Sequence, residues 1–302
     1  MLAILTSHPI QYQVPIWRAL AASGKVPFEV WYLDYHGVSV SEDVEFGESF
    51  AWDIDLVEGY PHCRLEVNRE CDMSHFHGVR LRENLARRMA GQGVRALWVE
   101  GWRFSALWKA VKVARRAGVE VWMRGESNDL RRDPPLRRLA KQAILARHLT
   151  RVDRFLCIGS ANRRLYNSYG FGKSRMVSTP YCVDNDRFAQ QAAALRPKRD
   201  ELRAKWGIPQ DAFCFLFCGK LISKKRPLDL VKAARTMLEK RDPAGRPLHL
   251  LFVGSGELDD LLRRTCRVAF DFDDEEDEEQ GWPNVRHNPP GGPAASLAGF
   301  LN

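Results

Sequence analysis

Short apolar runs alternate with stretches of 3.6-residue periodicity along most of the chain. LAILTS (2–7) reads as a strand and QVPIWRALAAS (13–23) as the helix after it. PFEVWYLD (27–34) predicts a second strand. Residues 37–78 are irregular, with GESFAWDIDLVEGY (47–60) suggesting a short strand inside a long loop. VRLRENLARRMAGQG (79–93) predicts a helix that ends at glycine. RALWVEG (95–101) is a strand, FSALWKAVKVARRAG (104–118) a helix, and VEVWMRGES (119–127) a strand running into a loop. PPLRRLAKQAILARHLTRV (134–152) is a basic amphipathic helix. RFLCIGS (154–160), ANRRLYNSYG (161–170) and SRMVSTPY (174–181) give strand, helix and strand.

This β-α-β succession predicts an α/β fold whose parallel sheet is covered on both faces. The rhythm breaks over CVDNDRFAQQAAALRPKRDELRAKWGIP (182–209), which reads as an interdomain linker plus a short helix. It then restarts with FCFLFCG (213–219), a strand, and PLDLVKAARTMLEKR (227–241), a helix. LHLLFVGSG (248–256) follows as a strand and ELDDLLRRTCRVAF (257–270) as a helix. The expected organisation is a first Rossmann-like domain over 1–186, a linker and short helix over 187–209, and an incomplete second domain over 210–302. A solvated acidic, disordered loop is expected over about 270–296, where NPPGGPAAS (288–296) is also rich in proline and glycine.

Composition narrows the class. The chain has 302 residues, 45 % hydrophobic, with nine Trp and fifteen Phe, enough for two globular domains. Its net charge is +8, yet DFDDEEDEE (271–279) carries eight acids, so the remainder is near +16. A basic body points to anionic partners. The seven cysteines (63, 71, 157, 182, 214, 218 and 266) form no C-x-x-C pair. They read as reduced, buried thiols of a cytosolic protein, with no zinc site. MLAILTSHP has neither the basic leader nor the apolar length of a signal peptide, and no run approaches the ~18 residues of a spanning helix. A cytoplasmic protein is expected, with any membrane contact peripheral.

The candidate chemistry centres on FCGKLISKKRP (217–227), where a strand ends in glycine and lysines before a helix. It is not a Walker loop, which needs G-x-x-x-x-G-K-[ST], and G-x-G-x-x-G is absent from both domain starts. That weighs against an NTPase and against a dinucleotide enzyme. Pro227 suits the first helical position, and a helix N-terminus attracts anions. Lys220 and Lys225 can then converge on a diphosphate, or Lys224, Lys225 and Arg226 can be a solvated loop. One strand later Gly254, Gly256 and Glu257 repeat the layout, as backbone facing a nucleotide or as a tight turn.

Four ordered segments together resemble retaining glycosyltransferases of family 4, which have the GT-B fold. They are YCVDNDRF (181–188), RAKWGIP (203–209), FLFCGKLISKKRPLDLVKAA (215–234) and LHLLFVGSGE (248–257). The family reads P-x-GVD-x-x-x-F, then GR-x-x-x-x-K, then VG-x-G, and order and spacing agree over about 150–260. SHPIQYQVPIWRAL (7–20) and VWMRGESND (121–129) are similar to a subgroup of it.

The resemblance implies that Gly219, Lys220 and Lys225 bind the diphosphate of a sugar nucleotide, with Lys220 standing where the family usually has arginine. It implies that Gly254, Gly256 and Glu257 lie near the nucleoside, and that the loop with His8, Gln11 and Tyr12 lines the cleft by donor and acceptor. Arg124 and Glu126 occupy the region of a loop histidine in many relatives. They read as candidate catalytic residues, Arg124 meeting phosphate or an anionic acceptor and Glu126 sugar hydroxyls, or as a structural Arg–Glu pair. Cys182 replaces the usual junction glycine.

The implied reaction moves a sugar from a nucleoside diphosphate sugar to a glycan, lipid or small-molecule acceptor. It needs no metal, no cofactor and no enzyme nucleophile. The basic segment 131–154, with eight Lys/Arg against two Asp, suggests an anionic membrane surface bearing a lipid-linked acceptor, or simply a solvated helix face. No nucleic-acid motif is present. The family's paired glutamates, E-x-x-x-x-x-x-x-E, have no match after Gly256. The resemblance therefore implies an enzyme truncated at its C-terminus, with little or no turnover. The alternatives are a non-catalytic nucleotide- or anion-binding fragment or regulatory protein, and a sugar-nucleotide epimerase of the same fold.

Overall fold

A computed structural model describes residues 1–43, 48–68, 71–128, 134–240, 245–273 and 289–301. The chain divides into two compact units, Met1–Ser39 with Trp52–Asp184, and Val40–Ala51 with Asn185–Asn302.

In chain order the strands are β1 (Leu2–Thr6), β2 (Phe28–Tyr32), β3 (Ser41–Asp43), β4 (Glu48–Phe50), β5 (His62–Arg64), β6 (Ala96–Glu100), β7 (Glu120–Arg124), β8 (Arg154–Cys157) and β9 (Met176–Ser178). Seven of them form the first unit's sheet, in the order β5-β2-β1-β6-β7-β8-β9, with every pairing parallel. Strands buried on both faces need apolar residues on both. Leu2 and Ile4 accordingly pack with Trp17 and Val30 on one side, while Ala3 and Leu5 pack with Leu97 and Val121 on the other.

Helix α1 (Val14–Ser23) covers the first side through Trp17, whose ring meets Trp98 edge-on at 5.2 Å. Helices α2 (Leu85–Gly91) and α3 (Ser105–Arg116) cover the second. Helix α3 buries Ala106, Leu107, Ala110, Val111 and Ala114, the i, i+3, i+4 stripe its sequence predicts. Two further helices, α4 (Pro135–Leu149) and α5 (Ser160–Ser168), complete this unit. The strand order reverses between β1 and β6, so the carboxyl ends of these strands flank the crevice where open α/β sheets take ligands.

The second unit holds α6 (Asn185–Leu195), α7 (Arg199–Lys205), α8 (Pro227–Glu239) and α9 (Asp259–Thr265). Its strands β10 (Phe213–Cys218), β11 (Leu248–Val253), β12 (Arg267–Asp271) and β13 (Ala294–Leu297) form a parallel sheet in the order β10-β11-β13-β12. The excursion carrying β3 and β4 groups with this unit, where Phe50 meets Phe300 at 4.6 Å.

The structure corrects four sequence expectations. The helix expected over 257–270 stops at Thr265, and RVAFD becomes a strand, because Val268 turns inward between exposed Arg267 and Ala269. The loop expected over about 270–296 gives up both its ends, to β12 and to β13; its centre, residues 274–288, lies outside the described residues. Small residues made AASL look like a tail, yet Ala295 and Ser296 are fully buried between two neighbouring strands. The linker folds as two helices rather than one short one. Of the cysteines, only Cys157 and Cys266 are buried, and Cys218 is exposed.

Candidate functional site

In the second unit, two loops at the carboxyl ends of β10 and β11 lie backbone against backbone. A Cβ on Gly254 would stand 2.3 Å from the Gly219 carbonyl oxygen, and one on Gly256 would stand 2.8 Å from that of Leu221. Both glycines also have positive φ, 129° and 153°. With no side chains between them, the loops exchange hydrogen bonds. Leu221 N–H donates to Ser255 O at 2.9 Å, and Leu258 N–H donates to Leu221 O at 2.9 Å. The Glu257 carboxylate closes the seam by accepting from Ser223 N–H at 2.9 Å, a contact that lowers its pKa. Gly254, Gly256 and Glu257 therefore fix the path of the lysine-bearing loop.

On that loop Gly219 follows β10 at φ 141°, and Lys220 is half-buried. Lys225 ends a 3-10 turn, Ser223–Lys225, and is exposed, with no ion pair among the described residues. Arg226 turns the chain into α8 with φ 58° and ψ 45°, a left-handed conformation uncommon outside glycine, and pairs with Asp229 at 2.6 Å. Pro227 then opens the thirteen-residue helix; it has no N–H of its own, and the Asp229 N–H donates to Arg226 O at 3.0 Å, so the positive end of the helix lies beside the lysines' loop. A cavity of about 220 Å3 adjoins Gly254 and Ser255, lined also by Asp259, Arg263, Asp271 and Phe300. Burial raises the Asp259 carboxyl to about 6, while Arg263 grips Asp271 through two contacts of 2.7 and 3.2 Å.

In the first unit, the carboxyl ends of β1, β6, β7 and β9 gather a second polar cluster. After β1, the Ser7 hydroxyl and His8 Nδ1 are 3.0 Å apart, and the His8 ring meets His36 at 5.6 Å. Gln11 and Tyr12 follow in the turn before α1. Tyr12 meets Tyr181 edge-on at 5.3 Å. Burial first, and the exposed Glu126 carboxylate second, hold the Tyr181 phenol well above the ordinary value. The Tyr12 phenol is raised too, by burial first and by Glu126 second.

Arg124 lies beneath this layer, with 1 % of its side chain exposed. Its guanidinium donates to Thr179 O at 3.3 Å and Pro180 O at 3.4 Å, stacks 4.8 Å from the Tyr181 ring centre, and lies 3.6 Å from Glu100 Oε1. That last separation is an ion contact too long for a hydrogen bond. Glu100 is also buried, and burial outweighs Arg124, raising its carboxyl to about 7. The arginine thus pairs with Glu100 rather than with Glu126, and it is a positioning group under the cluster.

Three residues of this cluster escaped the sequence reading. Glu100 is the polar last residue of ALWVE, a signal that inspecting strand ends would have found. Tyr181 reads as the last residue of the strand SRMVSTPY and the first of the segment YCVDNDRF, with no role of its own. Asn162 looks like any first-turn helix residue. Yet its buried amide donates to Gly125 O at 3.1 Å and Ser127 O at 2.6 Å, and its oxygen accepts from Ile158 N–H at 3.3 Å, so it pins the loop that carries Glu126.

No family model matches the chain. Over 115 residues it is 31 % identical to a D-inositol 3-phosphate glycosyltransferase of Thermomonospora curvata, a match covering 38 % of this chain and 26 % of that protein. Over 107 residues it is 34 % identical to D-inositol 3-phosphate glycosyltransferase 1 of Catenulispora acidiphila, covering 34 % and 24 %. The chain thus matches about a quarter of the length of these curated relatives. Among solved structures, it aligns over 99 % of its length with 69 % of Anabaena Alr3699/HepE, determined in complex with UDP and glucose, at TM-score 0.52 and 11 % identity. It aligns over its full length (100 %) with 72 % of the α,α-trehalose 6-phosphate synthase of Burkholderia multivorans, at TM-score 0.57 and 15 % identity. The fold is GT-B. In GT-B terms, the lysine loop belongs to the second Rossmann-like unit and the Glu126 cluster to the first.

Proposed function

We propose that the chain is a glycosyltransferase of family 4 type. It moves a sugar from a nucleoside diphosphate sugar to an acceptor with retention of configuration. One observation carries the reading: two lysines and the N-terminus of a thirteen-residue helix stand on a loop whose path is fixed by backbone contact with a glycine turn. The names of the matched relatives, both D-inositol 3-phosphate glycosyltransferases, support it.

As the sugar–diphosphate bond breaks, negative charge grows on the leaving group. Donors already in place stabilise it without reorganising. Lys225 supplies an exposed charge, Lys220 a second, and the N-terminal end of α8 a fixed dipole. Gly219 lets the chain turn there, and Gly254 and Gly256 present the neighbouring turn to the nucleoside. The acceptor lies against His8, Gln11, Tyr12 and Glu126, with Arg124 holding the floor. The leaving diphosphate takes the acceptor's proton, so no metal or enzyme nucleophile is required. We assign the reaction to glycan assembly at the cytoplasmic membrane face. Leu139 and Ile144 are 65 % and 60 % exposed on α4, a basic helix suited to contact with anionic lipid.

Calorimetry with UDP and GDP tests the reading. One of them binds the intact chain, and Lys225→Ala weakens it about tenfold, the effect of one charged hydrogen bond. Absence of binding by either nucleotide overturns the proposal. Binding without transfer from any sugar nucleotide assigns the chain to the non-catalytic alternative.

A further inference from the structure

The cluster on the first unit has a sign. Among the described residues, three charged groups act on its two phenols: Glu126, Arg124 and Glu100. Two are acids. The single cation is 1 % exposed, and its contacts are taken by Glu100, the Thr179 and Pro180 carbonyls and the Tyr181 ring. A phosphate needs forked donors at the surface. Among the described residues, the surface here offers an exposed carboxylate, which only accepts, two phenols set edge to face, and the His8 ring and Gln11 amide in the loop after β1, with no guanidinium fork exposed beside them. Hydroxyl groups can donate to such a carboxylate, while the apolar face of a ring can lie on the tyrosines.

We infer that the acceptor recognised at this edge of the sheet is an uncharged polyhydroxyl ring, and that Glu126 excludes its phosphorylated counterpart. The inference rests on the glycosyltransferase reading and deepens it. It also sets this chain apart from the curated relatives it matches, whose names specify a phosphorylated inositol.

Ligand-observed NMR titrations on the intact chain with UDP present decide the matter. The probes are myo-inositol and glucose, each beside its monophosphate. The wild type binds the neutral ring of at least one pair about tenfold more tightly than the phosphate, the discrimination expected of one unpaired like charge. Glu126→Gln keeps the shape and hydrogen bonding but removes the charge, and narrows that preference to about threefold or less. Tyr181→Phe weakens both members of a pair while leaving their ratio unchanged. A phosphate that binds as tightly as its neutral ring, a preference that survives Glu126→Gln, or no binding by any ring overturns the inference. Calorimetry of UDP on the same samples reports separately on the donor reading, since UDP binding with failed ring discrimination sinks only the acceptor class.

Discussion

Glu100 and His249 are buried groups whose titrations pull stability in opposite directions. Burial raises Glu100 from 4.5 to about 7, so between those values the folded chain keeps a proton that the unfolded chain releases. Its stabilisation is complete below pH 4.5 and is lost as pH rises through 7. His249 is the reverse case. Ser296 donates to Trp206 O at 2.5 Å, so the Ser296 oxygen, 2.8 Å from His249 Nε2, accepts that nitrogen's hydrogen. Burial, with Arg203 nearby, lowers the imidazole from 6.5 to about 4. Its contribution is complete above pH 6.5 and is lost as pH falls to 4. Urea denaturation at pH 5 and pH 8 should therefore show Glu100→Gln gaining on the wild type as pH rises, by an amount on the order of 3 kcal/mol. His249→Gln should gain as pH falls. Identical pH slopes in wild type and Glu100→Gln would refute the buried-acid assignment.

At the scale of elements, both candidate sites are loops whose backbone is held by hydrogen bonds, from a neighbouring loop and Glu257 in the second unit and from the Asn162 side chain in the first. In the second unit the seam between the β10 and β11 loops leaves no room for a methyl group at Gly254. Gly254→Ala must displace the Gly219 carbonyl and adopt φ near 129°, so a loss of about 2–4 kcal/mol in denaturation midpoint energetics is expected. Nucleotide binding should fall with it. In the first unit, Asn162→Ala deprives two loop carbonyls and one amide of their partner, for a loss of about 1–3 kcal/mol. Glu126 then wanders, so acceptor binding should fall more than nucleotide binding. Equal loss of both would assign Asn162 to general stability alone.

The same elements show where sequence speaks. Strands such as β1, β6 and β11 are long, apolar and flanked by amphipathic helices, so periodicity locates them. β5 has three residues and β13 is made of alanines, serine and leucine, so neither carries a period of its own; their neighbours in the sheet define them. The strand and helix that flank the lysine loop were legible from their pattern. The Arg124–Glu100 pairing was not, because it joins strand ends 24 residues apart that meet only through sheet order.

For the molecule as a whole, the exposed edge of the second sheet sets its behaviour in solution. β10 pairs with β11 and with no other strand among the described residues, and it is apolar throughout, FCFLFC. Phe213 is 54 % exposed and Leu216 61 % exposed. An unpaired apolar edge invites pairing with another chain, and a lysine on such an edge is the usual defence. Leu216 does not sit in the second unit's buried core, which runs through Leu250, Phe252 and Leu297, so its replacement removes little native packing. Leu216→Lys is therefore expected to leave the denaturation midpoint within about 0.5 kcal/mol of wild type and to suppress self-association measured by sedimentation velocity at rising concentration. Cys218, exposed at the end of the same strand, gives an independent check: oxidising conditions should cross-link the wild type and spare Leu216→Lys. If both proteins sediment as monomers at every concentration, the edge is already protected and the argument from its exposure fails.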